Sequence, residues 1–279
     1  RLDSPHGSFY YLKGRVAQAC RLMKVATFNA NSIRVRLPIV VEWLYRHGPD
    51  ILCLQETKVQ DVDFPVEAFG DLGYHVVFRG QKAYNGVAIA SRLRPAAVSF
   101  GLDDGETLDE TRLIAARFGR LSVVNTYVPQ GRDIASEYYQ YKLRWFSRLR
   151  RYFERHFKTT DLLLWAGDLN VAPEPIDVYD PEAHINHVCY HEDVRRALAQ
   201  VVDWGFVDLF RLHCQEPGWY TFWDYRMRDA LAHNRGWRLD HLMATRKLAY
   251  RCTACYIDTA SRAAEKPSDH TFLVAELNL

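Results

Sequence analysis

A chain of 279 residues is long enough for one large domain or two small ones, with a sizeable core. Its 48% hydrophobic and 25% charged content is that of an ordinary globular protein. No apolar run reaches the roughly 18 residues of a membrane-spanning helix and no signal-peptide pattern appears, so no membrane association is expected. The net charge of +2 argues against a histone-like polyanion binder but permits one local basic face.

Residues 1–22 mix Gly, Pro and scattered aromatics without a period, and predict an N-terminal extension before a single domain at 23–279. The first strand-like run, 25–28, ends at Asn29, with Asn31 two residues on; a helix is predicted over 34–47. The run at 51–54 ends at Gln55-Glu56-Thr57-Lys58, and further strands are predicted at 75–78, 87–90, 113–118 and 121–128. The 121–128 run leads into Pro129-Gln130-Gly131. Apolar residues at three- or four-residue spacing then predict a helix over 136–157. The run at 162–165 leads into Gly167-Asp168-Leu169-Asn170, and a helix is predicted at 192–204. Asp240 lies at the start of the run 239–244, and Asp269-His270 precedes the last, 271–277. The middle of the chain runs strand after strand without crossover helices, so much of the sheet must be antiparallel. The expected fold is α+β, a four-layer sandwich of two packed mixed β-sheets flanked by helices. Six scattered cysteines (Cys20, Cys53, Cys189, Cys214, Cys252 and Cys255) predict reduced thiols and a cytoplasmic protein rather than a disulfide framework.

The polar residues that end or open these runs carry the chemistry. Any one of them alone is an ordinary turn residue. In packed sheets, strand ends and the starts of antiparallel neighbours share one rim. Asn29, Glu56, Tyr127, Asp168, Asn170, Asp240, Asp269 and His270 can therefore meet. Four carboxylates together repel unless protons or a cation compensate, and hard oxygen ligands suit Mg²⁺ or Mn²⁺ rather than zinc. Such a site fits a phosphodiester: Asn170, Tyr127 and His270 could bind non-bridging oxygens, and Asp168 could orient and deprotonate water.

Eight ordered segments carry a resemblance across 23–279: Thr27-Phe28-Asn29, Leu54-Gln55-Glu56-Thr57-Lys58, Tyr84-Asn85-Gly86-Val87-Ala88, Asn125-Thr126-Tyr127-Val128-Pro129-Gln130-Gly131, Gly167-Asp168-Leu169-Asn170, Trp223-Asp224-Tyr225-Arg226, Asn234-Arg235-Gly236-Trp237-Arg238-Leu239-Asp240 and Ser268-Asp269-His270. With these the chain resembles the exonuclease III group of AP endonucleases. The resemblance implies Glu56 as principal metal ligand with Asn29 and Asp269 beside it. It makes Asn31, with Asp168 and Asn170, candidates for a second metal position. It implies Asp168 as the water-activating group, Asn170 as transition-state stabiliser, Tyr127 on the phosphate, and His270 on the phosphate, oriented by Asp240. Phe222, Trp237 and Leu239 would line an abasic-site pocket.

The expected activity is metal-dependent hydrolysis of double-stranded DNA 5′ to abasic sites, with removal of 3′ blocking groups or nucleotides. Mg²⁺ is the expected cofactor, Mn²⁺ a substitute, no organic cofactor is needed, and a monomer is expected. The stretch 220–239, rich in aromatics and arginines, favours DNA with an extruded sugar. Arg132, Lys58 and Arg36 are further candidate DNA contacts. The rival readings are a phosphodiesterase for RNA or phospholipid headgroups and a catalytically silent DNA-binding paralogue. Arg144, Arg148, Arg151 and Arg155 read as a solvated helix face. His184, His187, Cys189 and His191 match no paired zinc-ligand spacing, and Cys252-x-x-Cys255 lacks a second pair.

Overall fold

The computed structural model describes residues 22–106 and 111–279. The expected extension therefore lies outside the described residues, apart from Leu22, which begins the first strand. One six-stranded sheet is built from β1 (Leu22–Asn29), β2 (Ile51–Gln55), β3 (His75–Arg79), β4 (Val87–Ser91), β11 (Cys252–Asp258) and β12 (Phe272–Asn278), in the order β11-β12-β1-β2-β4-β3. The second, also six-stranded, uses β5 (Ala97–Phe100), β6 (Leu113–Phe118), β7 (Leu121–Tyr127), β8 (Leu162–Asp168), β9 (Phe206–Asp208) and β10 (Asp240–Thr245), in the order β5-β6-β7-β8-β10-β9. β1–β2 and β7–β8 pair in parallel. These two pairs are joined through the long helices α1 (Ile33–His47) and α3 (Glu137–His156), because a parallel neighbour can be reached only by a crossover; the short α2 (Val66–Gly70) lies between them in the chain. The other strand pairs are antiparallel.

Alternation along the strands makes the layers. Val25, Ile51, Cys53, Val123, Leu164 and Leu242 pack between the sheets. Their neighbours Ala26, Phe28, Leu52 and Leu54 face Trp43 and Leu44 of α1. Val124, Leu163, Trp165 and Met243 face Phe146, Leu149 and Phe153 of α3, and Val194 and Leu198 of α4 (Glu192–Val202). This is the four-layer α+β sandwich expected from the sequence. The three strands outside the predicted runs, β5, β9 and β11, each lie at a sheet edge. Gln55 spans the gap between the sheets, donating to Thr27 Oγ1 at 2.9 Å and Asn125 Oδ1 at 2.7 Å.

The arginine stripe on α3 is not uniformly solvated. Arg148 is buried against the loop before β6, where it makes a bidentate pair with Asp104 at 2.6 and 2.8 Å. Arg155 donates to the Leu102 carbonyl of the same loop. Among the described residues Cys53, Cys189, Cys214, Cys252 and Cys255 are free thiols, and no described helix is long and apolar enough to cross a membrane.

Candidate active site

Strand register brings the predicted residues to one rim. Asp168, the last residue of β8, pairs with Tyr127, the last of β7, and with Asp240, the first of β10. Asn29 pairs with Gln55 at the ends of β1 and β2. His270 joins this rim through a bridge to Phe222, which also bridges Trp237. The backbone is bent hard here: Asn31, Glu56, Lys58 and Asn170 all take φ between 43° and 55°. That region is uncommon for non-glycine residues and clusters at functional sites. Gly167 has φ +138°, and a Cβ there would lie 2.0 Å from the Thr126 carbonyl oxygen, so only glycine lets β8 deliver Asp168 beside β7.

The side chains form one connected network. Asn29 Nδ2 donates to Glu56 Oε1 and to Asp168 Oδ2, both at 2.8 Å. Asp168 also accepts from the Asn170 backbone at 2.9 Å and faces His270 Nε2 at 3.7 Å. Asp240 Oδ2 lies 2.7 Å from His270 Nδ1, while its buried Oδ1 has no hydrogen-bond partner. Asn31 Nδ2 donates to Asp269 at 3.0 Å. Lys58 Nζ sits 2.8 Å from Glu56 Oε2 and also donates to Asn31 Oδ1. The Arg112 guanidinium stacks over the Tyr127 ring at 4.8 Å.

Burial would pull the His270 imidazole down, but the Asp240 and Asp168 carboxylates override it and raise its pKa to about 10. It is therefore a cation at neutral pH. Asp168 is raised as well: burial pushes its carboxyl up, and Asp240 and Glu56 add to this against the opposing His270 and Asn29. Burial also works against ionisation of Glu56, but Lys58 and Asn29 hold its carboxyl below the usual range.

The donor set fits a hard cation. Ligand atoms of Asp168, Asp240 and His270 come within 4.8 Å of one another. In this arrangement His270 Nδ1 is taken up by Asp240 at 2.7 Å. The open oxygen-rich group is Glu56 and Asp269 with the amides of Asn29 and Asn31, where Lys58 Nζ now bridges Glu56 and Asn31 as a positive charge.

The expected DNA-contacting residues fall into three environments. Phe222 is half-buried with its ring 4.9 Å from that of His270. Trp237 and Leu239 are buried, and the rings of His184 and His187 lie 5.0 and 4.6 Å from Trp237. His184 has both nitrogens engaged, by Tyr179 and the Asp180 carbonyl. Arg132 is exposed and lies 3.6 Å over the Tyr138 ring, at the edge of a cleft of about 410 Å³ beside Tyr127. Arg36 is occupied by Asn31 O, Tyr225 and Pro267 O, and Lys58 by the acidic group just described. Tyr84 and Arg112 also line the cleft. Neither is legible in the sequence alone: Tyr84 stands inside a motif without a role of its own, and an arginine before a strand carries no signal.

Residues 26–270 match the endonuclease/exonuclease/phosphatase family. The chain is 33% identical over 266 residues to exodeoxyribonuclease III of Haemophilus influenzae, covering 91% of this chain and 99% of that one. Among solved structures, an AP endonuclease from Archaeoglobus fulgidus is 53% identical with a TM-score of 0.90, covering 92% of this chain and all (100%) of that one. A 3′ phosphatase from Neisseria, bound to a product DNA hairpin, is 36% identical with a TM-score of 0.88, with 92% and 100% covered.

Proposed function

Because the chain belongs to the endonuclease/exonuclease/phosphatase family, whose members are metal-dependent, we propose that it is a DNA-repair nuclease cutting double-stranded DNA 5′ to abasic sites and clearing 3′ ends. The observation that supports this reading best is geometric: buried Asp168, fixed by Asn29 at 2.8 Å, faces His270 at 3.7 Å, and Asp240 holds the far side of that imidazole at 2.7 Å. Such a pair offers a proton acceptor and a positive charge that can both face one phosphate.

In this reading Asp168, held by Asn29 and the Asn170 backbone, takes a proton from water as the water oxygen attacks phosphorus. The bond from phosphorus to the 3′ oxygen breaks, leaving a 3′ hydroxyl and a 5′ phosphate on the abasic sugar. His270, Tyr127 and Asn170 bind the non-bridging oxygens as their charge grows. A divalent cation, Mg²⁺ by preference, held by Glu56 and Asp269 with Asn29 and Asn31 beside them, would neutralise phosphate charge. Phe222, Trp237 and Leu239 form the wall that admits an extruded abasic sugar and excludes a base. We place the protein in the cytoplasm as a monomer, a location that its buried free thiols at Cys53, Cys189 and Cys255 suit.

The test is purified protein on an abasic duplex and on recessed 3′ ends, with Mg²⁺ and with EDTA. Nicking of the abasic duplex in Mg²⁺ and none in EDTA is expected. Binding without nicking would mean a silent paralogue, and cleavage confined to RNA or phospholipid substrates would favour those rivals. Glu56→Ala is expected to raise the Mg²⁺ concentration for half-maximal rate about tenfold or more; an unchanged requirement would remove Glu56 from the cation site. Trp237→Ala is expected to lower kcat/KM on the abasic duplex at least tenfold more than on recessed 3′ ends, an order-of-magnitude figure for losing a pocket wall. Equal losses on both substrates would sink the pocket.

A further inference from the structure

Lys142 lies in the middle of α3, where its neighbours Tyr139, Phe146 and Leu149 supply the apolar face. A lysine on such a helix ordinarily turns to solvent, yet this one is fully buried, at 0% exposure. Among the described residues no carboxylate lies within ion-pair reach of it. Its ammonium instead donates to three backbone carbonyls, those of Gln130 at 3.1 Å, Asn170 at 2.7 Å and Val188 at 2.8 Å. These belong to three segments, one between β7 and α3 and two at the opposite ends of the long connection from β8 to α4. One follows Tyr127 and carries Arg132, and one follows Asp168 and carries Asn170. The third carries His187, whose ring lies on Trp237. The fit around the stem is close, since a Cβ on Gly131 would meet Lys142 Cδ at 3.3 Å.

Burying a cation without a counter-ion is costly, and three carbonyl dipoles return only part of its hydration. An apolar side chain of the same length would fill the space at lower cost. A residue kept under such a penalty has a positional task. Resting on the function proposed above, we infer that Lys142 is a positioning residue: it ties the Asn170 loop to its two neighbours and so sets the Asn170 amide against Asp168 and the phosphate. Three donors pointing at three carbonyls specify one arrangement of the loops, which an apolar contact would leave free to slide. Burial lowers the Lys142 pKa to about 8, so the ammonium is the dominant form at neutral pH.

The test is a double-mutant cycle with Asn170, read in single-turnover cleavage of an abasic duplex well below the unfolding temperature. Lys142→Met is expected to slow cleavage about 10- to 100-fold, as a misplaced catalytic group does. Duplex affinity should stay within about threefold, because the loss falls on the reaction step. In the Asn170→Ala background the same substitution is expected to cost less than about threefold, since the group it acts through is gone. A merely structural lysine would lower the unfolding temperature but leave the two losses multiplicative. Multiplicative losses, or a wild-type rate in Lys142→Met, would overturn the inference. Should Lys142→Met not fold, Lys142→Arg carries the same cycle, keeping the cation with altered geometry. A wild-type protein that does not nick the duplex counts against the function itself; an active wild type with multiplicative losses counts against Lys142 alone.

Discussion

Asp168→Asn is expected to slow cleavage of an abasic duplex by about 10³-fold, the scale of losing a positioned general base, with duplex affinity held within about threefold. Two groups at the centre of the site could in principle take the proton from water. His270 is raised to about 10 by the carboxylates around it and is protonated at neutral pH, so it has no free lone pair to offer. Asp168 is raised instead by burial, which makes it a stronger base than an exposed carboxylate while Asn29 and the Asn170 backbone fix its direction. An asparagine keeps the shape and one acceptor oxygen but cannot take the proton. It also removes a negative charge that faces the DNA phosphate, so binding has no reason to weaken. Single-turnover rates with fluorescence anisotropy of the same duplex separate the two effects. Retention of more than about a tenth of the rate would be too small a loss for the base, and the assignment would fall.

The second large effect lies under the proposed sugar pocket and concerns stability. Arg238 stands between Trp237 and Leu239 and is fully buried, as is Asp177. Arg238 Nε and Nη2 reach Asp177 at 2.7 and 3.1 Å, and Nη1 reaches Asp208 at 2.7 Å; Arg211 also binds Asp177. Asp177→Ala is expected to cost about 3–5 kcal/mol, because it leaves a buried guanidinium short of charge. That corresponds to a fall of roughly 10 °C in unfolding temperature for a domain of this size. Thermal melts of the purified variant measure it, and a shift under about 2 °C would show that the pair contributes little. The pH dependence has a definite sign. Burial opposes ionisation of Asp177, but Arg238 and Arg211 override it and hold the carboxyl low. Its contribution is therefore complete above the ordinary carboxylate range and lost as pH falls below it. The pair also anchors the backbone that presents Trp237 and Leu239, so pocket and stability should fail together in this variant.

The legible features share one property, that the information sits within a few residues. An apolar run at 51–54 ending in Gln55-Glu56 announces both a strand and its functional end. Gly167-Asp168-Leu169-Asn170 announces a tight turn that presents two polar side chains. The long helix α3 is readable because its apolar face repeats over 20 residues. By contrast, β9 has three residues and β5 four, too short for a period to show. Arg148 read as solvated because nothing in α3 tells that the Asp104 loop folds across it.

By itself, then, the amino-acid sequence determined the class of fold, the strands that carry the site, and the residues at their ends. Period-two and period-3.6 patterns and turn chemistry are local properties of a chain. Only the tertiary structure decided what those residues do to one another. Asn29 and Asp168 are 139 positions apart and share a hydrogen bond because two sheets pack at one rim. That packing raises Asp168 and His270 together and pairs Arg238 with Asp177. It also turns Lys142 inward onto three segments. Burial and long-range charge are properties of the assembled fold, and no window of sequence contains them.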